Sequence, residues 1–503
     1  MCGFLFISSN SPISTERFGS ALNDMSFRGP DSSNTLFLKD NKIGFGHNRL
    51  QIIGNEDEGL QPMTSFCGRF IIIFNGEIYN FKELNESHCP DYLFSSDTRL
   101  LIELYAKLGS ECLNLFEGMF AFVIYDLVTD EWFACRDRFG IKPLFYYQDN
   151  STTIISSEIV CFRHFIDLEL DLDSVTEWKK FRRCCPNHTF YSKVYEVLPA
   201  SYKTDSEHSA WYIIEPSDEP FCFEDTFNEV VADHLCSDVD VTCLLSGGVD
   251  SSLLASLTNL KTHYTVGLKH NNEFDDVKEF CDHMEKFSYY IEVESEELPL
   301  LWAQMTQRRL EPLCVPNEAL IYSVCMNMPS STKVVLSGEG ADEVMFGYDR
   351  IFRYAHSQSQ LNTSEFLEHY SYSNAKPTNR ILDYISNLSR GKAPIEFCED
   401  FFLHFHLPCL LRRVDFSMML ASKEGRVPFV DRRIIEPLYR KSYEFRNKHG
   451  VSKSILKEIL NKKGLNFVSE RKKIGFSTIK SSDDKKSYYE NFQNIMLKEL
   501  KWL

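Results

Sequence analysis

The spacing of hydrophobic and polar residues changes part-way along the chain. In the first 160 residues the apolar runs are short and end at turn residues; 120–124 and 131–136 are separated by a segment containing Val-Thr-Asp, and 144–147 and 153–157 by Gln-Asp-Asn-Ser. Such pairs predict β-hairpins, and the amphipathic spacing over 97–108 predicts a helix behind them. This part is therefore predicted to form stacked antiparallel sheets with flanking helices.

From about residue 241 onward, predicted strands alternate with predicted helices. The apolar runs that read as strands lie at 241–245, 264–268, 289–293 and 333–337. This alternation is typical of a parallel sheet with crossover helices, whose ligands bind beyond the carboxyl ends of the strands. We predict an α/β chain with two domains: residues 1–210, with a core over 2–160 and a connector, and residues 211–503, which end in a helical part.

The segment after the first of these strands reads Ser-Gly-Gly-Val-Asp-Ser-Ser. Gly247 and Gly248 allow close approach of the backbone to an anion, and the following helix start offers free N–H groups. Ser246 and Ser251 add hydroxyl donors. Asp250 is acidic where anions bind, which favours a divalent cation between it and phosphate oxygens. Because no lysine follows the glycines, the pattern excludes an ordinary Walker loop.

This loop is similar to the pyrophosphate loop of the ATP pyrophosphatases, which cleave ATP to AMP and pyrophosphate while activating a carboxylate. The fourth predicted strand leads into Ser-Gly-Glu-Gly-Ala-Asp-Glu, which is similar to the second ATP motif of the asparagine synthetase B family. The resemblance implies that Asp250 and Asp342 bind Mg²⁺ and that Glu339 serves carboxyl activation. It assigns the adenylate to Leu245, Val266, Ser337 and Gly338.

At the other end of the chain, Cys2 follows Met1 and precedes a strand-like apolar run. Removal of Met1 would expose an α-amine with a pKa of about 7.7–8.0, which suits it as a base for its own thiol. Eight further motifs follow in order, among them Phe-Arg-Gly-Pro-Asp, Gly-His-Asn-Arg-Leu and Phe-Asn-Gly-Glu-Ile-Tyr-Asn. Together they closely resemble the class II glutamine amidotransferase domain, an N-terminal-nucleophile hydrolase fold, over about the first 160 residues.

Glutamine carries a carboxylate, an ammonium and an amide, so its pocket needs a cation, an anion and an oxyanion site. The resemblance implies that Arg49 binds the carboxylate and Asp97 the ammonium. It implies that Asn75 and Gly76, interpreted as a turn, donate to the oxyanion, and that Glu77 adds polar recognition. Taken singly, Arg49 could be a surface charge, and Asn-Gly is the commonest hairpin-turn pair.

Two C-terminal stretches also match the asparagine synthetase family. Lys453 matches the family lysine that stabilises charge on the activated phosphate. Lys472 or Lys473 could close over pyrophosphate, although a solvated charge run is the alternative. A second stretch contains a polar series that lies near the acceptor carboxylate or forms a buried ion-pair network: Asp415, Ser422, Glu424, Arg426 and Asp431.

Composition limits the remaining possibilities. The formal charge of −18 and a pI near 5.3 argue against nucleic acid or an anionic membrane as a partner. No apolar run reaches membrane-spanning length and no signal segment is evident, so a cytoplasmic protein is expected. The 16 cysteines are scattered without paired C-x-x-C spacing, which predicts reduced, mostly buried thiols.

The resemblance implies glutamine-dependent, ATP-driven amidation of a carboxylate through an acyl-adenylate, with aspartate as the expected acceptor, Mg²⁺ as cofactor and, by analogy, a homodimer. Three departures from the family pattern lie near where an acceptor would bind: Phe346 for glycine, Leu310 for aspartate and Gly425 for alanine. They leave open another acceptor, such as a sugar uronic acid or a peptide-like precursor. A non-catalytic relative that binds glutamine or ATP is the remote alternative.

Overall fold

The computed structural model describes residues 2–54, 58–217, 219–471, 478 and 484–501. Those residues form two antiparallel six-stranded sheets in the N-terminal half and one parallel five-stranded sheet in the C-terminal half. The predicted α/β class, with stacked antiparallel sheets followed by a parallel-sheet domain and a helical C-terminal part, is confirmed. No helix within the described ranges is long and apolar enough to cross a membrane.

The N-terminal sheets have the strand orders β10-β8-β9-β1-β3-β2 and β12-β11-β7-β6-β5-β4. Their strands are β1 (Cys2–Ser9), β2 (Ser32–Leu38), β3 (Ile43–Arg49), β4 (Met63–Thr64), β5 (Phe70–Ile78), β6 (Gly118–Asp126), β7 (Trp132–Arg136), β8 (Phe145–Gln148), β9 (Thr152–Ser156), β10 (Val194–Glu196), β11 (Ser201–Lys203) and β12 (His208–Ala210). The helices of this half are α1 (Thr15–Asp24), α2 (Phe81–His88), α3 (Asp97–Leu108) and α4 (Leu172–Phe181).

Apolar side chains of these strands alternate between the two faces of each sheet. Phe4 and Phe6 of β1 lie in one apolar cluster with Ile71 and Ile73 of β5, between the two sheets. The intervening Leu5 packs on the outer side with α1. Alternate residues of a strand point to opposite faces, so each strand contributes to two apolar layers. The two predicted hairpins are confirmed, since β6 pairs with β7 and β8 with β9.

The parallel sheet has the order β15-β14-β13-β16-β17. Its strands are β13 (Asp240–Leu244), β14 (Thr262–Leu268), β15 (Phe287–Val293), β16 (Thr332–Leu336) and β17 (Glu424–Arg426). The helices of this half are α5 (Phe223–His234), α6 (Val249–Ser256), α7 (Phe274–Met284), α8 (Leu298–Arg309), α9 (Glu318–Met326), α10 (Ala341–Val344), α11 (Asp349–Ser357), α12 (Thr363–Tyr370), α13 (Asn379–Ser389), α14 (Pro394–Phe401), α15 (Leu407–Met419), α16 (Arg432–Leu438), α17 (Tyr443–Arg446), α18 (Ser454–Lys462), α19 (Asn466–Glu470) and α20 (Lys485–Glu499).

One sequence prediction about the strands was wrong, and one strand was not predicted. Asn75 and Gly76 do not form a turn; they lie inside β5, opposite Ala121 and Phe120 of β6. A Cβ at Gly76 would lie 2.2 Å from the Met119 carbonyl oxygen, so the glycine serves the close approach of two strands rather than a reversal of the chain. The strand β17 was missed, because two of its three residues are charged.

The two halves pack against each other through a shared apolar core. Tyr79 and Met119 of the N-terminal half lie in one cluster with Phe227, Val335 and Phe429 of the C-terminal half. Burial of apolar surface of this kind stabilises the contact between the two halves.

Candidate functional site

Cys2 lies at the start of β1, and its backbone is held from both sides. Its N–H donates to Asn75 Oδ1 at 2.9 Å, and its carbonyl oxygen accepts from Arg28 Nε at 3.0 Å. On the neighbouring strand β3, Arg49 stands directly opposite Cys2. Central strands of a packed sandwich are stiff. The thiol of Cys2 therefore has a defined position beside two of the predicted glutamine-binding residues.

The pKa of the Cys2 thiol falls to about 7. Burial raises it, but the His47 imidazole lowers it by charge and by a hydrogen bond, and a hydrogen bond involving the Leu50 backbone adds to this. The ring of His47 is held by Nε2, which lies 3.1 Å from the Phe74 carbonyl oxygen. Because a carbonyl only accepts, this nitrogen carries a proton. A substantial thiolate fraction at neutral pH is what a thiol nucleophile needs.

His47 was not among the residues predicted from the sequence. It precedes Arg49 by two positions on β3, and residues two apart in a strand share a face. That spacing was the available signal. Both residues belong to the Gly-His-Asn-Arg-Leu motif, but only its arginine was assigned a role from the sequence.

Replacing His47 with glutamine is expected to raise the pKa of Cys2 toward that of an ordinary thiol, because the imidazole charge that favours the thiolate is removed. The midpoint of Cys2 alkylation against pH should move upward from about 7 by roughly one unit. The initial rate of iodoacetamide labelling at Cys2, followed by peptide mass spectrometry from pH 5.5 to 9.5, measures this. The exposed His449→Gln is the matched control; an unchanged midpoint in H47Q would contradict the assignment.

Unpartnered polar atoms mark the pocket next to Cys2. Asn75 Nδ2 and Glu77 Oε1 are both buried and have no hydrogen-bond partner among the described residues. Asn75 and Glu77 share one face of β5, with Gly76 between them. Orphaned buried groups of this kind are rare in folded proteins and point to an absent ligand. They supply one donor and one acceptor, as recognition of an amino acid amide requires.

The carboxylates of this pocket are deeply buried. Asp97 opens α3, and its two oxygens accept from the backbone N–H groups of Ile78 (3.2 Å) and Thr98 (2.7 Å). Burial raises the pKa of Asp97 to about 6. Burial, and then the charge of Asp97, raises the pKa of Glu77 well above its usual range, although Arg426 opposes this from 3.4 Å. A bound ammonium would favour the charged form of both carboxyl groups.

Arg49 contributes the cation of this pocket. It is buried, and its Nη2 donates to the Ile53 carbonyl oxygen at 3.2 Å. A Cβ added at Gly59 would lie 2.0 Å from the same nitrogen, so the missing side chain leaves room for the guanidinium. Arg49 is thus no surface charge. The structure brings all five predicted glutamine-binding residues to one end of the sandwich.

A second group of predicted residues lies at the carboxyl edge of the parallel sheet. After β13, Gly247 adopts a left-handed φ of +68° and Gly248 caps α6. The Ser251 hydroxyl accepts from the Ser246 backbone N–H at 3.1 Å and lies 3.0 Å from Ser246 Oγ. These contacts curl the chain around the start of α6. Phosphate binding by this loop stays a prediction from its two adjacent glycines and the helix start that follows them.

The two ATP-like motifs meet at Gly338. A Cβ at this position would lie 3.2 Å from the Asp250 Cβ, so the loop after β16 lies against the start of α6. Between the motifs, Lys453 Nζ lies 2.6 Å from Asp250 Oδ2 and 2.5 Å from Asp342 Oδ1. Burial lowers the pKa of Lys453, but the two carboxylates outweigh it and raise the pKa above its usual range.

These two aspartates also suit a hard divalent cation. They already gather around one buried positive charge, and carboxylate oxygens are the donors that Mg²⁺ prefers. Within the described part of the chain, no group of three or more His, Cys, Asp or Glu residues could hold a metal ion. Mg²⁺ commonly binds through one or two carboxylates and takes phosphate oxygens and water for its other ligands. Asp250 and Asp342 fit that arrangement.

Comparison with known proteins gives the family of each half of the chain. The model of the glutamine amidotransferase domain matches residues 1–212, and the model of asparagine synthase matches residues 223–500. The chain belongs to the asparagine synthase family. Cys2 lies in the first matched domain, and the loop at 246–251 lies in the second.

Individual known proteins resemble the chain to different extents. Glutamine-hydrolyzing asparagine synthetase 1 of Bacillus subtilis (strain 168) is 32% identical over 383 residues, which cover 69% of this chain and 59% of that protein. Glutamine-hydrolyzing asparagine synthetase 3 of the same strain is 26% identical over 497 residues, covering 87% and 80%. Amidase chry2 of Gibberella zeae is 27% identical over 380 residues, covering 66% and 55%. The first alignment therefore spans less than two thirds of the relative.

Around the family's acid motif, Glu339 pairs with Arg413 of α15. The residues that the resemblance assigned to the adenylate lie at the same edge of the sheet. The Leu245 N–H donates to the Tyr264 carbonyl, and the Ser337 N–H donates to the Arg426 carbonyl, each at 2.9 Å. Val266 lies in β14, two residues before its end. The loops that would hold the nucleotide are therefore fixed by strand-like hydrogen bonds.

The polar series of the asparagine synthase domain is paired within the chain. Asp415 pairs with Arg28, Glu424 with Arg426 at 2.6 Å, and Asp431 with Arg433 at 2.9 Å; the Ser422 hydroxyl donates to the Phe27 carbonyl oxygen at 2.7 Å. Of the two interpretations left open, the buried ion-pair network describes these contacts. Lys472 and Lys473 lie outside the described residues.

Proposed function

We propose that the protein transfers the amide nitrogen of glutamine to the side-chain carboxylate of aspartate at the expense of ATP. The products are asparagine, glutamate, AMP and pyrophosphate. Family membership supports the reaction class, and the two groups of residues supply the chemistry that each half-reaction requires. Residues 1–210 would carry the glutamine site and residues 211–503 the ATP site.

In the first half-reaction the Cys2 thiolate attacks the glutamine side-chain carbonyl carbon. With Met1 removed, the α-amine of Cys2 takes the thiol proton and gives it to the leaving nitrogen. Asn75 Nδ2 and the Gly76 N–H donate to the oxyanion of the tetrahedral intermediate. Ammonia leaves, and water hydrolyses the resulting thioester to glutamate. Arg49 binds the substrate carboxylate.

The substrate ammonium needs an anionic partner in the same pocket. Asp97 and Glu77 would supply it, since both carboxyl groups are buried in the same pocket and burial raises the pKa of each. A bound ammonium would favour their charged forms. Glutamine would then be preferred over amides that lack an α-ammonium.

In the second half-reaction the aspartate side-chain carboxylate attacks the α-phosphorus of ATP, and pyrophosphate leaves. Ammonia then attacks the acyl carbon of the adenylate, and AMP leaves. Lys453 stabilises the charge on the phosphate oxygens, and Glu339 lies beside the acceptor carboxyl group. The pyrophosphate would bind Ser246, Gly247, Gly248 and Ser251, and the adenylate Leu245, Val266, Ser337 and Gly338. Mg²⁺ held by Asp250 and Asp342 would neutralise phosphate charge.

One observation carries the proposal: a buried thiol whose pKa falls to about 7 lies beside the unpartnered amide of Asn75, in a chain that also holds an ATP-pyrophosphatase-type loop. Pyrophosphate release is therefore measured with Mg·ATP and glutamine, with and without aspartate, and followed by amino acid analysis. We expect aspartate-dependent release together with asparagine. Glutaminase activity without any response to aspartate would contradict aspartate as the acceptor while leaving the amidotransferase chemistry intact.

A second candidate function is the same chemistry on a different carboxylate. Phe346 replaces a family glycine next to the acid motif and keeps the left-handed backbone that glycine favours, with φ of +54°. Its buried ring stacks on Phe352 with centroids 4.1 Å apart, and the Arg446 guanidinium lies 3.7 Å above it. This aromatic surface would alter an acceptor pocket. Product analysis with uronic acids and peptide-like acids distinguishes the two; ATP binding without pyrophosphate release for any acid would indicate the non-catalytic alternative.

A further inference from the structure

Two thiols of the C-terminal half, those of Cys314 and Cys409, face each other at one small cavity. Cys314 lies between α8 and α9, and Cys409 lies in the first turn of α15. Both side chains are buried, and both line the cavity. The Cys314 thiol donates a hydrogen bond to the Cys409 sulfur, and the Cys409 thiol donates to the Arg182 carbonyl oxygen at 3.6 Å. The two sulfur atoms are therefore in direct contact, as closure to a disulfide requires.

The surroundings of the two thiols differ in charge. The hydrogen bond from Cys314 lowers the pKa of Cys409; burial raises it, the charges of Arg183 and Arg413 lower it, and the charge of Glu318 opposes them. The backbone N–H of Cys314 donates to the buried Glu318 carboxylate at 2.6 Å. The hydrogen bond to Cys409, burial and the charge of Glu318 raise the pKa of Cys314 well above that of an ordinary thiol. Cys409 is thus the thiol that ionises, and Cys314 is the one that keeps its proton.

The cavity itself favours a negative charge and admits only small molecules. Three guanidinium groups line it, and two of them are paired with carboxylates: Arg183 with Glu196 at 3.6 Å, and Arg412 with Glu311. The third, that of Arg182, donates to the Tyr489 hydroxyl at 3.0 Å. The resulting excess of positive charge favours a thiolate at Cys409. The free space holds about one water-sized molecule, which suits a small oxidant such as hydrogen peroxide and excludes a peptide-sized one.

We infer that Cys314 and Cys409 form an oxidation site that closes reversibly to a disulfide on reaction with hydrogen peroxide. The Cys409 thiolate attacks one peroxide oxygen, the O–O bond breaks, and the leaving hydroxide takes up a proton to give water. Cys409 is thereby oxidised to a sulfenic acid. The Cys314 sulfur then attacks the Cys409 sulfur, the Cys314 proton passes to the sulfenic oxygen, and a second water leaves as the S–S bond forms. Two thiols and one peroxide thus give one disulfide and two waters, and the reaction requires neither glutamine nor ATP.

The test is peptide mapping of the full-length protein after treatment with hydrogen peroxide. Remaining thiols are blocked with N-ethylmaleimide in denaturant, and the protein is digested without reductant. We expect a cross-linked peptide pair that joins Cys314 to Cys409 and is lost on treatment with dithiothreitol. Glutathione disulfide at the same oxidising equivalents should form the cross-link far more slowly, because it does not fit the cavity. Absence of the cross-link after peroxide, or a cross-link of Cys409 to Cys184 in its place, would overturn the inference.

Single serine variants separate the roles of the two thiols. In C314S the sulfenic acid has no thiol to react with, so Cys409 should become labelled by dimedone during peroxide treatment. In C409S, Cys314 should stay unlabelled, because its pKa lies well above that of an ordinary thiol. Cys184→Ser is the matched control, since Cys184 lines the same cavity but burial raises the pKa of its thiol to about 12. C184S should form the disulfide at the unmodified rate; equal labelling in C314S and C409S would contradict the assignment of Cys409 as the attacking thiol.

Discussion

Alanine in place of Cys2 is expected to abolish glutamine hydrolysis while leaving ammonia-driven amidation intact. Glutamine hydrolysis should fall by about 10³-fold or more, since removal of a covalent nucleophile leaves only binding and oxyanion stabilisation. Lys453 and the phosphate cradle belong to the other half, so pyrophosphate release with ammonium salts should stay near the wild-type rate. Glutamate formation and pyrophosphate release, measured side by side with each nitrogen source, test this.

Cys67→Ala is the matched control for this variant, because Cys67 is an exposed cysteine of the same half. It should retain both activities and should still lose glutamine hydrolysis after alkylation at pH 7, where the Cys2 thiol is partly ionised. Substantial glutamine hydrolysis by C2A would exclude Cys2 as the nucleophile. Loss of the ammonia-driven reaction as well would show that Cys2 has a structural role beyond its thiol chemistry.

Local motifs allowed the fold class to be predicted and the residues of two candidate sites to be selected. The Ser-Gly-Gly-Val-Asp-Ser-Ser loop can be interpreted from its local sequence alone, since adjacent glycines between a strand and a helix allow the backbone to bind an anion. The alternation of strands and helices after residue 241 likewise predicted the parallel sheet. Such signals act over a few residues and do not depend on how the two halves meet.

The interpretation of Asn75 and Gly76 shows where local signals are insufficient. Asn-Gly is the strongest short hairpin signal, yet both residues continue β5 because β6 pairs with the strand on through Ile78. Gly76 thus permits the close approach of β5 and β6, and Asn75 provides a side-chain donor, Nδ2, without a partner among the described residues. The tertiary environment overrode the turn propensity.

Contacts between the halves could not be predicted from spacing at all. Arg28 and Asp415 are 387 residues apart, and each looked plausible as an ordinary charged residue of its own motif. Similarly, Glu77 meets Arg426 only because β17 was added to the sheet beyond β16. A buried charge needs a partner, and this need can be inferred from the sequence. Which residue becomes the partner depends on how the two halves pack.

Methionine in place of Lys453 is the second change with a large expected effect. Pyrophosphate release should fall by about 10²–10³-fold with either nitrogen source, because a fixed cation at the reacting phosphate is lost. Asp250 and Asp342 would also face each other without the ammonium that joins them, so the variant should unfold at a lower temperature when Mg·ATP is absent. Pyrophosphate assays and thermal unfolding with and without Mg·ATP measure both effects.

Lys462→Met provides the control, because this lysine lies on the helix that follows Lys453 and pairs only at the surface, with Glu224 at 2.8 Å. Exposed pairs contribute little to stability, so both assays should match the unmodified protein. Basal glutamine hydrolysis should persist in K453M, since the Cys2 pocket is built from other strands. Pyrophosphate release at the wild-type rate in K453M would show that the charge of Lys453 serves only to hold the two aspartates together in the absence of nucleotide.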